Sequence, residues 1–268
     1  MTPSPFRTLA LFALLCGGLQ FCGDAFAQGF SALVSPPRFE DSAKPGETYR
    51  NIIEIGNASS ASAHFAVRTA DWTLKPDAGI EFSDALAPGS CRPWVGIEAA
   101  EINLAPNGKR RYRFEVRVPA DAPSGECRFA IMIEGDPGTP NGSSVPVSGR
   151  IGVIVYLAIG DAAPDLAMTG YSVRTMDGSL VPMLSVRNGG NAHGRLQGFV
   201  DGTDASGKRY AFAPTALPIL PGETRDIALV PQADRDDQPP PALTWPVQIE
   251  GWLDAGKQRL DIAKTFSK

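Results

Sequence analysis

The sequence predicts an all-β protein of two domains in tandem, each read from its strands and turns as a β-sandwich or barrel. Three observations lead there. Its 28 glycines and 24 prolines gather in turn-like clusters at roughly eight- to twelve-residue spacing, the rhythm of short strands joined by tight turns. Beyond the N-terminal segment, no window keeps apolar residues at helical spacing for long. Several segments instead alternate apolar and polar residues with period two, which buries one face and leaves the other in water.

The N-terminal segment is set aside first. Arg7 precedes the apolar run TLALFALLCGGLQF, and Ala25-Phe26-Ala27 forms a small-x-small cleavage site before Gln28. That is the layout of a secretory signal peptide, residues 1–27. Leu15 before Cys16 and Phe21 before Cys22 are too large for lipid attachment, so both cysteines are expected to leave with the signal. An uncleaved anchor is the alternative, against which Asp24 and the helix-weakening glycines argue. The mature chain divides at a short linker into domains 28–162 and 163–268. It keeps Cys91 and Cys127, and in an oxidising compartment two cysteines imply one disulfide. A net charge of −4 and a pI near 5.3 leave no global basic field for nucleic acid.

The first domain reads as strands at Ser31–Val34, Tyr49–Ile55, His64–Thr69, Trp94–Ala99, Arg110–Val118 and Glu126–Ile133. In Arg110–Val118, Tyr112, Phe114, Val116 and Val118 share one face, while Arg111, Arg113, Glu115 and Arg117 share the other. In Glu126–Ile133 the apolar face is Cys127, Phe129, Ile131 and Ile133. LAPNGK and VPADAPSGE, ahead of these two strands, are turn-rich connections.

The last segment of this domain, VPVSGRIGVIVYLAIG, is the most apolar run of the mature chain. A bilayer span needs about 20 predominantly apolar residues. Here Arg150 sits inside, Pro146 breaks one end, and Asp161 with Pro164 closes the other, so no membrane span is expected. Val145–Ile159 reads instead as a strand about twice the usual length. Val145, Val147, Ile151, Val153, Val155, Leu157 and Ile159 lie on one face, with Gly149 as the gap. Pro146 lacks an amide donor, which suits a strand start or a sheet edge.

Gly160–Ala167 is the linker. Strands follow at Ser179–Arg187, Arg195–Asp201, Lys208–Phe212, Thr224–Val230, Val247–Leu253 and Arg259–Thr265. NGGNAHG, DASGK, LPGE and DAGK are turns, and the proline-rich Gln232–Pro246 is a loop. The halves share β patterning and no clearer internal repeat.

Catalytic chemistry has no foothold in this pattern. His64 and His193 are far apart, and no pair of residues has metal-ligand spacing. A GxSxG elbow, a phosphate loop and an HExxH motif are absent. Glu40-Asp41 and Asp236-Asp237 fall in turn-like segments where solvated acids are the default. The expectation is no catalytic residue, no metal and no cofactor; an enzyme whose carboxylates are paired by the fold is the lesser alternative. The row Arg110, Arg111, Arg113 and Arg117 is a solvated outer strand face by default, and a stripe for anionic sugar or peptide otherwise.

With this layout in place, residues 30–160 resemble the periplasmic pilus-assembly chaperones, the PapD-like family. SPPRFE resembles the family's first strand. KPGETYRNIIEIGNASSASAHFAVRTADW resembles the second and third, with Asn57 in the turn and Trp72 closing the third. PWVGIEAAEINLAPNGKRRYRFEV resembles the fourth and fifth, VPADAPSGECRFAIMIEG the entry into the sixth, and GRIGVIVYLAIG the long last strand with its aromatic, Tyr156. The resemblance implies two immunoglobulin-like domains set at an angle about a cleft. It also implies a last strand of the first domain lent to an incomplete pilus subunit by β-augmentation. It implies periplasmic localisation, exported pilus-type subunits as partners, and an outer-membrane usher. In the family an arginine on the first strand and a lysine on the last hold the subunit's terminal carboxylate. Arg38 matches the first, but Val153 stands at the lysine position, and Arg150 is the nearest base. The expected client-binding residues are therefore Arg38, Val147, Arg150, Ile151, Val153 and Val155, with Cys91 and Cys127 as the disulfide. The alternative is a structural or adhesive envelope protein whose long strand simply completes its own sandwich.

Overall fold

The computed structural model describes residues 30–137, 147–176, 178–233, 235 and 237–268. The expected signal segment 1–27 lies outside them, as do Val145, Pro146 and Asp236.

The first domain runs β1 (Ala32–Ser35), β2 (Arg38–Ala43), β3 (Thr48–Asn57), β4 (Ala63–Leu74), β5 (Ile80–Ser83), β6 (Val95–Ile97), β7 (Glu101–Leu104), β8 (Lys109–Arg117), β9 (Gly125–Gly135) and β10 (Arg150–Ile159). One layer orders β1-β3-β8-β6 and the other β2-β10-β9-β4-β5, with β7 beside the start of β4. The N-terminal strand is divided between the layers. Ala32–Ser35 pairs antiparallel with β3, and after Pro36 and Pro37 the segment Arg38–Ala43 runs parallel to β10. Proline has no N–H to offer a ladder, so two in succession suit the gap between two ladders.

Period-two alternation builds the core. Tyr112, Phe114 and Val116 of β8 point inward against Phe129, Ile131 and Ile133 of β9 and against Val153, Val155 and Leu157 of β10. Each such apolar side chain stabilises by roughly 1.5–3 kcal/mol when fully buried. The Tyr112 hydroxyl is satisfied inside by donating to the Ala99 carbonyl. On the outward face Arg111, Arg113 and Arg117 stand in water. The outer face of β9 is buried as well, because Trp72, Phe82 and Leu220 cover Ala130 and Met132.

Buried Asn57 ties two turns together. Its amide donates to the carbonyls of Ala61 (2.7 Å) and Ala105 (3.1 Å), while its oxygen accepts from the Ser59 N–H (2.9 Å) and the Ser31 hydroxyl (3.0 Å). Cys91 and Cys127 form a disulfide that binds the turn before β6 to β9. The expected strand Trp94–Ala99 shortens to β6, because Arg92–Trp94 forms a 3-10 turn that contains Pro93. The short strands β5 and β7 were not predicted; four residues each give too little alternation to read.

The second domain runs β11 (Leu166–Met176), β12 (Ser179–Asn188), β13 (Val200–Asp204), β14 (Arg209–Pro214), β15 (Thr224–Pro231), β16 (Val247–Ala255) and β17 (Gln258–Phe266). Its order is β11-β12-β15-β14-β13-β16-β17. β15 joins the two layers of this sandwich: Thr224–Ala228 pairs with β12, and Leu229–Pro231 pairs with β14. Leu184, Val186, Phe212, Leu229, Ile249 and Leu253 fill the space between. The sequence predicts no strand where β11 runs. Thr169, Ser172, Arg174 and Thr175 leave this edge strand largely exposed, so apolar alternation is missing. The predicted strand Arg195–Asp201 begins only at Val200: Arg195 reaches across to Glu40 of the first domain, Leu196 enters the second domain's core, and Gln197 makes an isolated bridge to Asp254.

The disulfide closes a 36-residue separation, and a cross-link over a loop of this size stabilises by roughly 2–4 kcal/mol. Non-reduced protein should therefore show no alkylatable thiol at either cysteine by mass spectrometry. The double variant Cys91→Ser/Cys127→Ser should unfold at lower denaturant by that amount.

Candidate binding site at the β10 edge and the interdomain cleft

β10 pairs with β9 along its whole length, in unbroken register from Arg150 opposite Glu134 to Ile159 opposite Gly125. On its other side β2 covers only Ile154–Ile159. Among the described residues, Arg150–Val153 has no ladder partner there. The Ile154 N–H turns to that side and reaches the Pro37 carbonyl at 3.3 Å. Backbone groups alternate along a strand, so the N–H and C=O of Gly152 and of Arg150 face the same way. Two rungs of ladder are left open where the chain of β2 departs for the other layer.

The expected donor residues fall in different places along this strand. Val147 lies ahead of β10 and is 57% exposed; Arg150 is exposed and Ile151 half-buried. Val153 and Val155 are fully buried in the first domain's core, beneath the open edge rather than on it. Of the expected strand Val145–Ile159, Val145 and Pro146 lie outside the described residues, and β10 runs from Arg150, with Ser148 and Gly149 ahead of it not in a strand. Gly149, the gap in the apolar row, has a cause: a Cβ there would stand 2.2 Å from the Phe30 side chain, which occupies that space. At Gly152 a Cβ would meet the Phe82 ring at 2.5 Å, so Phe82 lies over the strand beside the open rungs.

Alternation also settles which bases share a face. With no bulge in the register of β10, Val153 points inward and Arg150 outward. On β2 Phe39 is buried in the core, so Arg38 and Glu40 point outward too. Arg38 sits opposite Ile154, four residues along from Arg150, or about 13 Å at strand rise. Thus Arg38 and Arg150 occupy one face, and Val153 the other. The Arg38 Nε lies 2.6 Å from a Glu40 carboxylate oxygen.

Glu40 leads into the contact between the domains. Ile154 and Tyr156, on the outer face of β10, pack with Trp72 and Phe82 against Leu220 of the second domain. The His193 imidazole stacks on the Tyr156 ring with centroids 3.8 Å apart. Its Nδ1 bonds the Glu126 carboxylate, its backbone N–H donates to the same carboxylate at 2.9 Å, and its Nε2 lies 3.6 Å from Glu40. Arg195 donates from Nε to Glu40 at 3.0 Å, with its guanidinium 5.7 Å from the Tyr156 ring centre. A cavity of about 140 Å³ beside them is lined by Glu40, Glu126, Tyr156 and His193. The His193 hydrogen bond holds the Glu40 carboxyl down at about 2, against the opposing effect of burial and with help from Arg195 and Arg38. Burial pushes His193 down, but its bonds to Glu126 and Glu40 outweigh that and raise it. Burial pushes the Tyr156 hydroxyl up to about 12.

Neither Glu40 nor His193 was singled out for this role by the sequence. Glu40 and Asp41, expected in a turn, lie on strand β2. No sequence signal joins Glu40 to His193, since they meet only through the docking of two domains. The arrangement holds no group of three or more metal-ligating side chains among the described residues. No described helix is long and apolar enough to cross a membrane.

No family model matches the chain, and no curated protein matches it. Several solved chaperone structures are similar to it. A chain of the CsuC-CsuE chaperone–tip adhesion subunit complex, from the archaic chaperone-usher Csu pili of Acinetobacter baumannii, is 16% identical. That match spans 89% of this chain and 100% of the other, at a TM-score of 0.45. A chain of the Salmonella enterica SafA pilin–SafB chaperone complex is 13% identical over 89% of this chain and 98% of its own, at 0.45. The CupB2 chaperone of Pseudomonas aeruginosa is 10% identical over 88% and 100%, at 0.44.

The charges of the cleft set a pH dependence. His193 is raised in the folded state, so its contribution is full below the unfolded value of about 6.5 and is lost as pH rises through the folded value. Glu40 is lowered, so its contribution is full above 4.5 and is lost as pH falls toward about 2. The thermal midpoint should therefore peak between about pH 4.5 and 6.5 and decline as pH rises through the folded value of His193. His193→Gln should flatten the alkaline limb. An equally steep alkaline decline in that variant would assign it to other groups.

Proposed function

We propose that the protein is a periplasmic chaperone, or chaperone-like accessory protein, that binds exported β-rich subunits of pilus type by strand donation. The observation that carries this reading is the half-open edge of β10, placed beside a charged interdomain cleft. An unpaired edge in a folded domain is a template for another chain and an aggregation hazard unless it is used. In β-augmentation the backbone rungs supply affinity and alternate side chains supply specificity. The rungs would be those of Arg150 and Gly152, and the side chains those of Val147 and Ile151. Val153 and Val155 would hold the strand from beneath. Arg38 and Arg150, sharing the outer face, would meet a subunit's terminal carboxylate, Arg38 as the match to the family's arginine and Arg150 in place of its lysine. The order of segments resembling the PapD-like chaperones over residues 30–160 supports the same role, and the signal-like residues 1–27 support a periplasmic setting. An outer-membrane usher belongs to this proposal as the acceptor of the loaded complex. The second reading, a structural or adhesive envelope protein, is favoured by one observation: β2 already covers Ile154–Ile159, so much of β10 completes its own sandwich.

Substitution separates the two. Val147→Asp should reduce recovery of subunits with the tagged mature protein from the periplasm by about tenfold or more, with the thermal midpoint unchanged. Val153→Asp buries an unpaired carboxylate, whose cost of several kcal/mol is large against a total stability of about 5–15 kcal/mol, and should prevent accumulation. Arg38→Ala should weaken capture of a subunit with a free C-terminal carboxylate and leave an amidated one unaffected. Subunit recovery by Val147→Asp equal to wild type would overturn strand donation at this edge.

A further inference from the structure

Two surface features take no part in the β10 edge or the cleft. The first is an aromatic pair on the second domain, Phe199 (66% exposed) and Trp252 (49% exposed). Gln197 bridges Asp254 and Asp201 pairs with Glu250, which sets Phe199 opposite Trp252. Alternation brings Asp201, Glu250 and Asp254 to the same face, and Asp261 is Trp252's partner on β17. Arg259 lies 4.0 Å over the Trp252 ring and pairs with Asp261 at 3.0 Å. The result is an apolar knob within a mainly acidic rim.

The second feature is a groove of about 750 Å³ on the outer face of the first domain, floored by Ile52 and Gly96, bordered by Ile97, and rimmed by Arg50, Arg113 and Arg117. The carboxylates nearby are each divided between two guanidinium groups. Glu115 serves Arg50 and Arg117, and Glu98 serves Arg110 and Arg113. The rim is therefore left with uncompensated positive charge.

We propose that these two faces bind each other between copies of the chain, the second domain of one molecule docking on the first domain of the next. The occupant of the groove follows from complementarity: an aromatic knob ringed by carboxylates meets an aliphatic floor ringed by arginines. Aromatic side chains and arginine are the residues most enriched at the centres of such contacts. Because knob and groove are different surfaces, the contact is head-to-tail and repeats, giving rings or open chains rather than a closed two-fold dimer. It leaves the β10 edge and the cleft free, so it stands or falls independently of the chaperone reading.

Sedimentation velocity of the mature full-length protein tests it. The wild type should sediment faster as concentration rises, and added salt should reverse this. Trp252→Ala and Arg113→Glu, both surface changes with expected wild-type thermal midpoints, should each weaken association by about tenfold or more. Arg113→Glu alone and Asp261→Arg alone should be monomeric, since each sets like charge against like. Their equimolar mixture should associate, because the unaltered knob of the first meets the unaltered groove of the second. A wild type that stays monomeric at every concentration, or a mixture that stays monomeric, overturns the proposal.

Discussion

The structure depends on how one strand is shared. β10 presents Val153, Val155, Leu157 and Ile159 to the core of the first domain and Ile154 and Tyr156 to the second domain. Its hydrogen-bonding edges go to β9 throughout and to β2 in part. A strand apolar on both faces would normally lie at the centre of a sheet. Here it stands next to the edge, because only a six-residue strand flanks it, and the two prolines before that strand stop it from growing. The open rungs are thus a consequence of where the N-terminal strand changes layers.

The same strand explains why the cleft is charged. Outward residues of β2, β9 and β10 must be either polar and solvated or covered. Tyr156 is covered by His193, which brings a titratable ring into a nearly dry position. A protonated ring in that position needs carboxylates beside it, and Glu126 and Glu40 supply them. Glu40 in turn draws Arg195 from the second domain and Arg38 from the first, so one carboxylate organises cations from both. Domain orientation and the electrostatics around Arg38 are consequently set together.

Much of the fold was legible because period-two alternation was strong where burial was one-sided. β8 and the inner row of β9 were read residue by residue. Reading failed where that condition lapsed. β11 is an edge strand with little buried on either face, β5 and β7 are too short to show a period, and the apolar row that includes Val147 begins ahead of Arg150, where β10 starts. In the candidate site, chain order pointed to Arg38 and to the last strand. Strand parity identified Arg150, rather than Val153, as sharing Arg38's face only once an unbulged register was seen. Glu40, His193 and Arg195 could not be found, because a contact between domains leaves no periodic trace in either.

The pairing of Arg38–Ala43 with Ile154–Ile159 joins the second strand of the domain to its last. Contacts of such long sequence separation form late, because the chain entropy of the intervening loop must be surrendered before they return any stabilisation. A chain that emerges N-terminus first must therefore hold β2 without its ladder until the final strand arrives. Pro36 and Pro37 on one side and the short, largely polar sequence Glu40-Asp41-Ser42 on the other make that waiting segment a poor template for other strands. The features that leave the finished edge half-covered thus also guard the unfinished chain.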